Sequence, residues 1–210
     1  MSKMWIWFFA PVFLFAGGVQ AHPVSFAGAF SLMSYNKDDE NELFLGYSMT
    51  SRTALAVSYV KTAEAEYTLP RMNFLAKRWN NEDSQGNVYL SAGYGTDRSF
   101  DEVKGVAMAS ADLDWESRKY YTAFQYTKFF RQDSDAIDRT DFEQTKLRAG
   151  VAPYLAEFNE LNTWLIVQFE KKNDSAIETT QFVRLFYRNI LIEVGARIGG
   201  GAAFNFMTHF

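Results

Sequence analysis

Cysteine is absent from all 210 residues, which excludes disulfides, thiolate catalysis and cysteine-ligated zinc together. Histidine occurs only twice, as His22 and His209. Two such ligands are too few for a metal site of the usual kind, and we assign no metal, no cofactor and no catalytic residue from the sequence. No later stretch supplies the run of about 20 apolar residues that a membrane helix needs. A basic excess is missing as well, because 21 Lys and Arg stand against 25 Asp and Glu for a formal net charge of -4. Residues 1–21 carry one charge, Lys3, so the remainder stands at -5 (-4 minus one). Nucleic acid is therefore not an expected partner.

What the chain has in abundance is aromatic residues, 17% of the total, while its mean hydropathy is still slightly negative at -0.22. Apolar and polar residues in alternation produce that combination. The length suits one domain.

The N-terminus supplies a compartment. Met1-Ser-Lys-Met is followed by an apolar stretch from Trp5 to Gly17, and Val19-Gln20-Ala21 has the small-x-small pattern of a signal-peptide cleavage site. We expect residues 1–21 to be a signal peptide and 22–210 to be the mature domain. The alternative, a membrane anchor, fails on length, since about 13 apolar residues do not span a bilayer. An exported chain with no other apolar run enters a membrane only as a closed barrel, because lipid offers the backbone no other way to satisfy its polar groups.

Period-two alternation recurs along the rest of the chain. It predicts a first strand over 24–35, then Leu43, Leu45, Tyr47 and Met49 against Phe44, Gly46 and Ser48, and next Leu55, Val57 and Tyr59 against Ala54, Ala56, Ser58 and Val60. Between Tyr67 and Trp79, Arg71, Asn73, Leu75 and Lys77 are expected to face inward. The stretch from Tyr120 to Phe130 is so aromatic that its phase stays open. Later strands set Ala107 to Trp115, Leu147 to Val151, Leu161 to Phe169, Val183 to Tyr187 and Ile192 to Ile198 outward at every second position. A two-residue turn at Arg188-Asn189 would place Arg184 opposite Glu193 and Phe182 opposite Gly195.

These segments add up to an all-β, antiparallel transmembrane β-barrel of about 12 strands. An even strand number puts both termini at one end, with short reversals there and longer acidic loops, such as 36–41, 97–104, 132–141 and 171–177, at the other. Tyr35, Tyr47, Tyr59, Trp115, Tyr187 and Phe210 are expected in the interfacial girdles. The rival is a soluble β-sandwich, which also alternates.

The final segment, Gly201 to Phe210, has Phe204, Phe206, Thr208 and Phe210 on one face. It resembles the closing strand of Gram-negative outer-membrane β-barrels, in which the barrel assembly machinery reads C-terminal aromatics. That resemblance implies an assembly signal in Phe204, Phe206 and Phe210, and Thr208 departs from it where an aromatic is usual. In size and strand number the chain resembles the twelve-stranded specific porins. His22-Pro-Val-Ser, Lys77-Arg-Trp-Asn80 with Asp83-Ser-Gln85, and Ala149-Gly-Val-Ala-Pro-Tyr154 resemble a group of uncharacterised proteobacterial outer-membrane proteins. This last resemblance implies a place beside metal-efflux loci and no established activity.

Function is sought in the lumen. Lys77, Lys146, Arg148, Arg184 and Arg197 are expected there with Asp112, Asp114, Glu170 and Glu193. Such charges select among ions and small solutes in a narrow pore. They could equally neutralise one another and close it, making a non-conducting accessory barrel. A third reading, a lipid-modifying barrel enzyme, would use His209. Expected partners are outer-membrane lipids, the assembly machinery and small solutes or ions, with the protein a monomer.

Overall fold

The computed structural model describes residues 22–99, 102–133, 140–157 and 159–210. The expected signal peptide lies outside them. Twelve strands form a closed antiparallel barrel: β1 (Phe30–Lys37), β2 (Glu40–Ser48), β3 (Thr53–Thr62), β4 (Glu66–Asn80), β5 (Ser84–Ser99), β6 (Glu102–Ser117), β7 (Tyr120–Arg131), β8 (Phe142–Val151), β9 (Asn162–Lys172), β10 (Glu178–Tyr187), β11 (Ile190–Arg197) and β12 (Ala202–His209). Each strand pairs with its neighbours in sequence, and β1 pairs with β12 to complete the ring. No helix among the described residues is long and apolar enough to cross a membrane.

Closure depends on the β1–β12 seam. Ser31 lies opposite His209 and Lys37 opposite Ala203, and beyond the ladder Phe30 and Phe210 exchange backbone hydrogen bonds of 2.7 and 2.9 Å. Their rings lie near one another, with centroids 6.1 Å apart. No backbone edge is then left for solvent or lipid to satisfy along this seam.

Alternation sorts the side chains as the sequence leads one to expect. Leu43, Leu45 and Tyr47 of β2 are exposed on the outside, while Phe44, Gly46 and Ser48 between them are buried within. Leu147, Leu165, Val183, Val194 and Phe204 continue the outer face around the barrel. The β10–β11 register is the expected one, with Tyr187 opposite Ile190, Arg184 opposite Glu193 and Phe182 opposite Gly195. Arg188 takes φ +56° at the first position of that turn, as a tight hairpin of the primed type requires. Gly195 answers to packing instead, because a Cβ there would come within 2.6 Å of the Phe182 ring.

Four expectations change. The strand predicted over 24–35 begins only at Phe30, because Gly28 adopts φ +87° and donates to the Ser48 carbonyl at 2.7 Å, turning the chain. The segment before it folds into the barrel, where Val24 packs with Ala54, Leu75 and Tyr89. Lys77 points outward rather than into the lumen. The β4–β5 register shifts between Leu75 and Lys77, and the bulge inverts the phase so that Arg78 takes the inward place. Tyr35 faces the lumen and not the girdle, following the parity of Ser31 and Met33 on β1.

The loops at the end away from the termini are also shorter than expected at two hairpins. β1 and β2 are separated only by Asp38 and Asp39, and β5 and β6, of 16 residues each, extend the ladder through most of 97–104. The open phase of β7 resolves with Tyr121 and Phe129 buried and Phe124 and Phe130 outside.

An outer face this apolar gives a test. Leu45 is 54% exposed near the middle of β2. Leu45→Arg is expected to cost about 2–4 kcal/mol of folding free energy in lipid vesicles. On a water-facing surface the same change would stay within about 0.5 kcal/mol. Urea unfolding in vesicles measures the difference, and a negligible cost would mean that lipid does not cover this face.

Candidate functional site

Inside the barrel, apolar side chains and ion pairs divide the space. Tyr67, Leu69, Val106, Met108 and Phe129 pack together on one side, and Tyr121, Trp164, Ile166 and Phe182 on another. Against Tyr121 and Phe182 of the second group runs a cavity of about 160 Å³, lined from His22 and Asp114 near the termini to Lys37 and Glu170 at the far end. A smaller space of about 30 Å³ lies between Val60, Phe129 and Phe142.

Among the most enclosed charges is Glu193, on the inward face of β11 and 1% exposed. Its Oε1 accepts from Arg148 Nη2 at 2.8 Å and Arg184 Nε at 2.7 Å, while Oε2 accepts from Arg148 Nη2 at 2.9 Å and Asn205 Nδ2 at 2.7 Å. Arg184 is its cross-strand partner on β10, yet Arg148 comes from β8 and reaches it across the lumen. Both guanidinium groups also lie against rings, Arg184 4.6 Å from the Tyr121 centroid and Arg148 5.2 Å from that of Phe182. Such contacts return part of the desolvation cost of burying two cations.

A second cluster crosses the far end. Glu170 of β9 pairs with Lys37 of β1 at 2.5 Å, and its carboxylate accepts from Gln144 at 2.8 Å and Gln168 at 3.0 Å. Lys172 pairs with Glu40 of β2 at 2.7 Å and with Asp39 at 2.8 Å. Strands β1 and β2 stand on the opposite side of the ring from β8 and β9, so these bonds bridge the opening. Asp39, in the reversal, is held below the usual carboxylate range: partial burial opposes ionisation, and the bonded Lys172 with Lys37 behind it outweighs that cost. Arg197 sits at the rim beside Asp38, Asp39 and Glu178 at 3.3 to 3.4 Å.

The remaining charges occupy the middle and the near end. Lys146 stands among Glu170, Glu40 and Glu42. Arg71 lies 3.7 Å from Glu42 and donates to Asn73 at 2.9 Å, and Asp112 accepts from Ser110 at 3.2 Å. Asp114 accepts from Asn87 at 2.7 Å through Oδ1 and has His22 Nδ1 at 3.5 Å from Oδ2. A further pair, Arg131 with Asp97 at 2.7 Å, closes the corner between β5 and β7.

Of the residues the sequence singles out, Arg148, Arg184 and Glu193 meet in one network, and Glu170 and Lys146 belong to the next. Asp112 and Asp114 line the cavity, Arg197 is peripheral, and Lys77 is outside. Arg71 faces inward as its alternation leads one to expect, whereas Lys37, Glu40, Glu42, Arg78, Asp97 and Arg131 are not singled out by the sequence. Glu42 and Glu40 could have been found by continuing the parity of Phe44 backward through the predicted loop. Arg78 could not, because the bulge leaves no mark in the alternation.

His209 Nδ1 and Ser31 Oγ are 2.7 Å apart, both buried. They are register partners across the seam, which accounts for the contact without a substrate. Among the described residues no three His, Asp or Glu side chains converge as a metal site.

No family model matches the sequence, and no curated protein matches it either. Two solved structures of the KdgM porin are similar in fold. One, described as the porin in complex with disordered oligogalacturonate, has a TM-score of 0.50 and 11% identity over 87% of this chain and 98% of that chain. The other has a TM-score of 0.48 with the same identity and coverage. At 11% identity the likeness concerns the fold alone. The chain has the fold of a small outer-membrane β-barrel.

The Glu193 network predicts an asymmetry in stability. Glu193→Gln leaves the buried Arg184 and the half-buried Arg148 without their counter-charge and is expected to cost about 3–5 kcal/mol. Asp38→Asn, at the exposed rim, is expected to cost no more than about 1 kcal/mol. Tryptophan fluorescence during urea unfolding compares the two, and equal costs would show that Glu193 carries no special burden.

Proposed function

We propose that the mature protein, freed of residues 1–21, is a monomeric barrel of the bacterial outer membrane that acts as a narrow channel for small ions or solutes. The observation carrying this reading is a charged cavity inside a barrel whose outer face is apolar. Six carboxylates line it, Glu40, Glu42, Asp112, Asp114, Glu170 and Glu193, against four cationic side chains, Lys37, Arg71, Lys146 and Arg148. Fixed charge at such close quarters favours counter-ions, so the passage prefers cations. The selecting residues are Glu42, Asp112, Asp114 and Lys146, which stand along the cavity. Phe204 and Phe206, on the outer face of β12, and Phe210 just past it serve assembly.

A second reading has its own observation. The bonds from Lys37 to Glu170 and from Lys172 to Glu40 bridge opposite walls, and a barrel so bridged serves as a closed accessory protein of the envelope. No comparable observation favours the lipid-modifying enzyme, since His209 is buried on the inward face.

Single-channel recording in planar bilayers separates these readings. The channel gives discrete steps with a cation-selective reversal potential, which Lys146→Gln strengthens and Glu42→Gln weakens. An inserted but silent wild type that conducts once Glu170→Gln loosens the far end supports the closed barrel. A protein that never inserts overturns both.

A further inference from the structure

At the near end of the cavity Asp114, one of the selecting residues, meets His22, Asn87, Arg78 and Tyr89, which the channel reading does not use. His22 is 9% exposed, with its ring 5.2 Å from that of Tyr89 and its Nδ1 3.5 Å from Asp114 Oδ2. The other oxygen of Asp114 is occupied by the Asn87 amide at 2.7 Å, and Asn87 is in turn fixed by Arg78 at 2.6 Å. Arg78 also holds the Tyr89 hydroxyl at 3.0 Å. One carboxylate oxygen is therefore oriented toward an imidazole nitrogen by a chain of buried hydrogen bonds, and both residues line the cavity.

If cleavage follows Ala21, His22 also carries the free α-amino group. The amine and Nδ1 of one histidine close a six-membered chelate on a metal ion. Residue 23 is proline and has no amide N–H, so the next backbone nitrogen cannot deprotonate and join the set. Two ligand atoms about 2.0 Å from a shared tetragonal ion lie between about 2.8 Å apart, when at right angles, and about 4 Å apart, when opposite. The spacing of His22 Nδ1 and Asp114 Oδ2 falls in that range.

We propose that the mature N-terminus forms a copper(II) site of three ligands, the His22 α-amine, His22 Nδ1 and Asp114 Oδ2, open to the cavity on its remaining side. For a given set of nitrogen and oxygen ligands copper(II) is the most tightly held divalent ion of the first row. Asn87 and Arg78 orient the carboxylate, as outer-shell partners do at metal sites. Only two of the three ligands are side chains, because the third is a backbone amine that exists only after cleavage.

The site rests on cleavage after Ala21, a part of the proposed function, and the test keeps the two apart. Intact mass of the protein purified from membranes reports its first residue. Copper(II) titration of the full mature barrel in detergent, followed by electron paramagnetic resonance, reports the site. We expect one equivalent bound with nitrogen hyperfine structure, at least ~10-fold weaker binding in Asp114→Asn, given that even outer-shell changes cost about 10–100-fold. A chain carrying Gly-Pro-Pro ahead of His22 ties the His22 nitrogen into an amide, and its prolines leave no preceding amide N–H to deprotonate in its place, so it loses the chelating amine without touching the barrel wall and should lose the nitrogen pattern. Equal binding by the extended chain, or no binding by the mature one, overturns the site. A mature chain that starts elsewhere overturns it through the cleavage reading, which the mass identifies.

Discussion

Everything in this molecule depends on the requirement that a backbone facing lipid satisfy its own hydrogen bonds. The β1–β12 seam meets it. Phe30 and Phe210 exchange backbone bonds at its end, Ser31 and His209 add a side-chain contact on the inside, and the ring of strands is left without an edge. Only with that closure can Leu45, Leu165, Val194 and their neighbours stand exposed on the outside. An open sheet with the same face would pair with other chains.

Closure creates an interior that must then be filled at a tolerable electrostatic cost. Side chains of a twelve-stranded wall reach far enough to touch across it, and the two principal networks do so at different depths. Glu193 gathers cations from β8 and β10, while Glu170 and Glu40 join β8 and β9 to β1 and β2. Buried ions leave a lasting penalty unless their hydrogen bonds are complete. Both oxygens of Glu193 are fully engaged, and the aromatic faces of Tyr121 and Phe182 cover the guanidinium planes. The same arrangement that stabilises the wall narrows the space inside it, so the residues that hold the barrel together also set the width of its interior.

How much of this was legible in the chain varies with the range of the interaction. Strand faces were readable, because a side chain's side of the sheet follows from its own parity. The β10–β11 register was readable too, since a two-residue turn leaves one pairing. Lys77 and Arg78 show where such reading stops. One extra residue between Leu75 and Lys77 reverses the phase, and nothing in the local pattern announces it. Val24 shows a second limit: its alternation suits a strand, yet Gly28 turns the segment inward and Val24 packs in the lumen.

The sequence by itself determined the alternating strands, their approximate number and the separation of an apolar outer face from a mixed inner one, because each follows from neighbouring residues along the chain. Only the tertiary structure decided that Arg148 meets Glu193, that Lys37 meets Glu170 across the opening, and that His22 lies beside Asp114. Those meetings join residues separated by tens to more than a hundred positions. They depend on the stagger at which twelve strands close, and that stagger is a property of the whole ring that no single strand encodes.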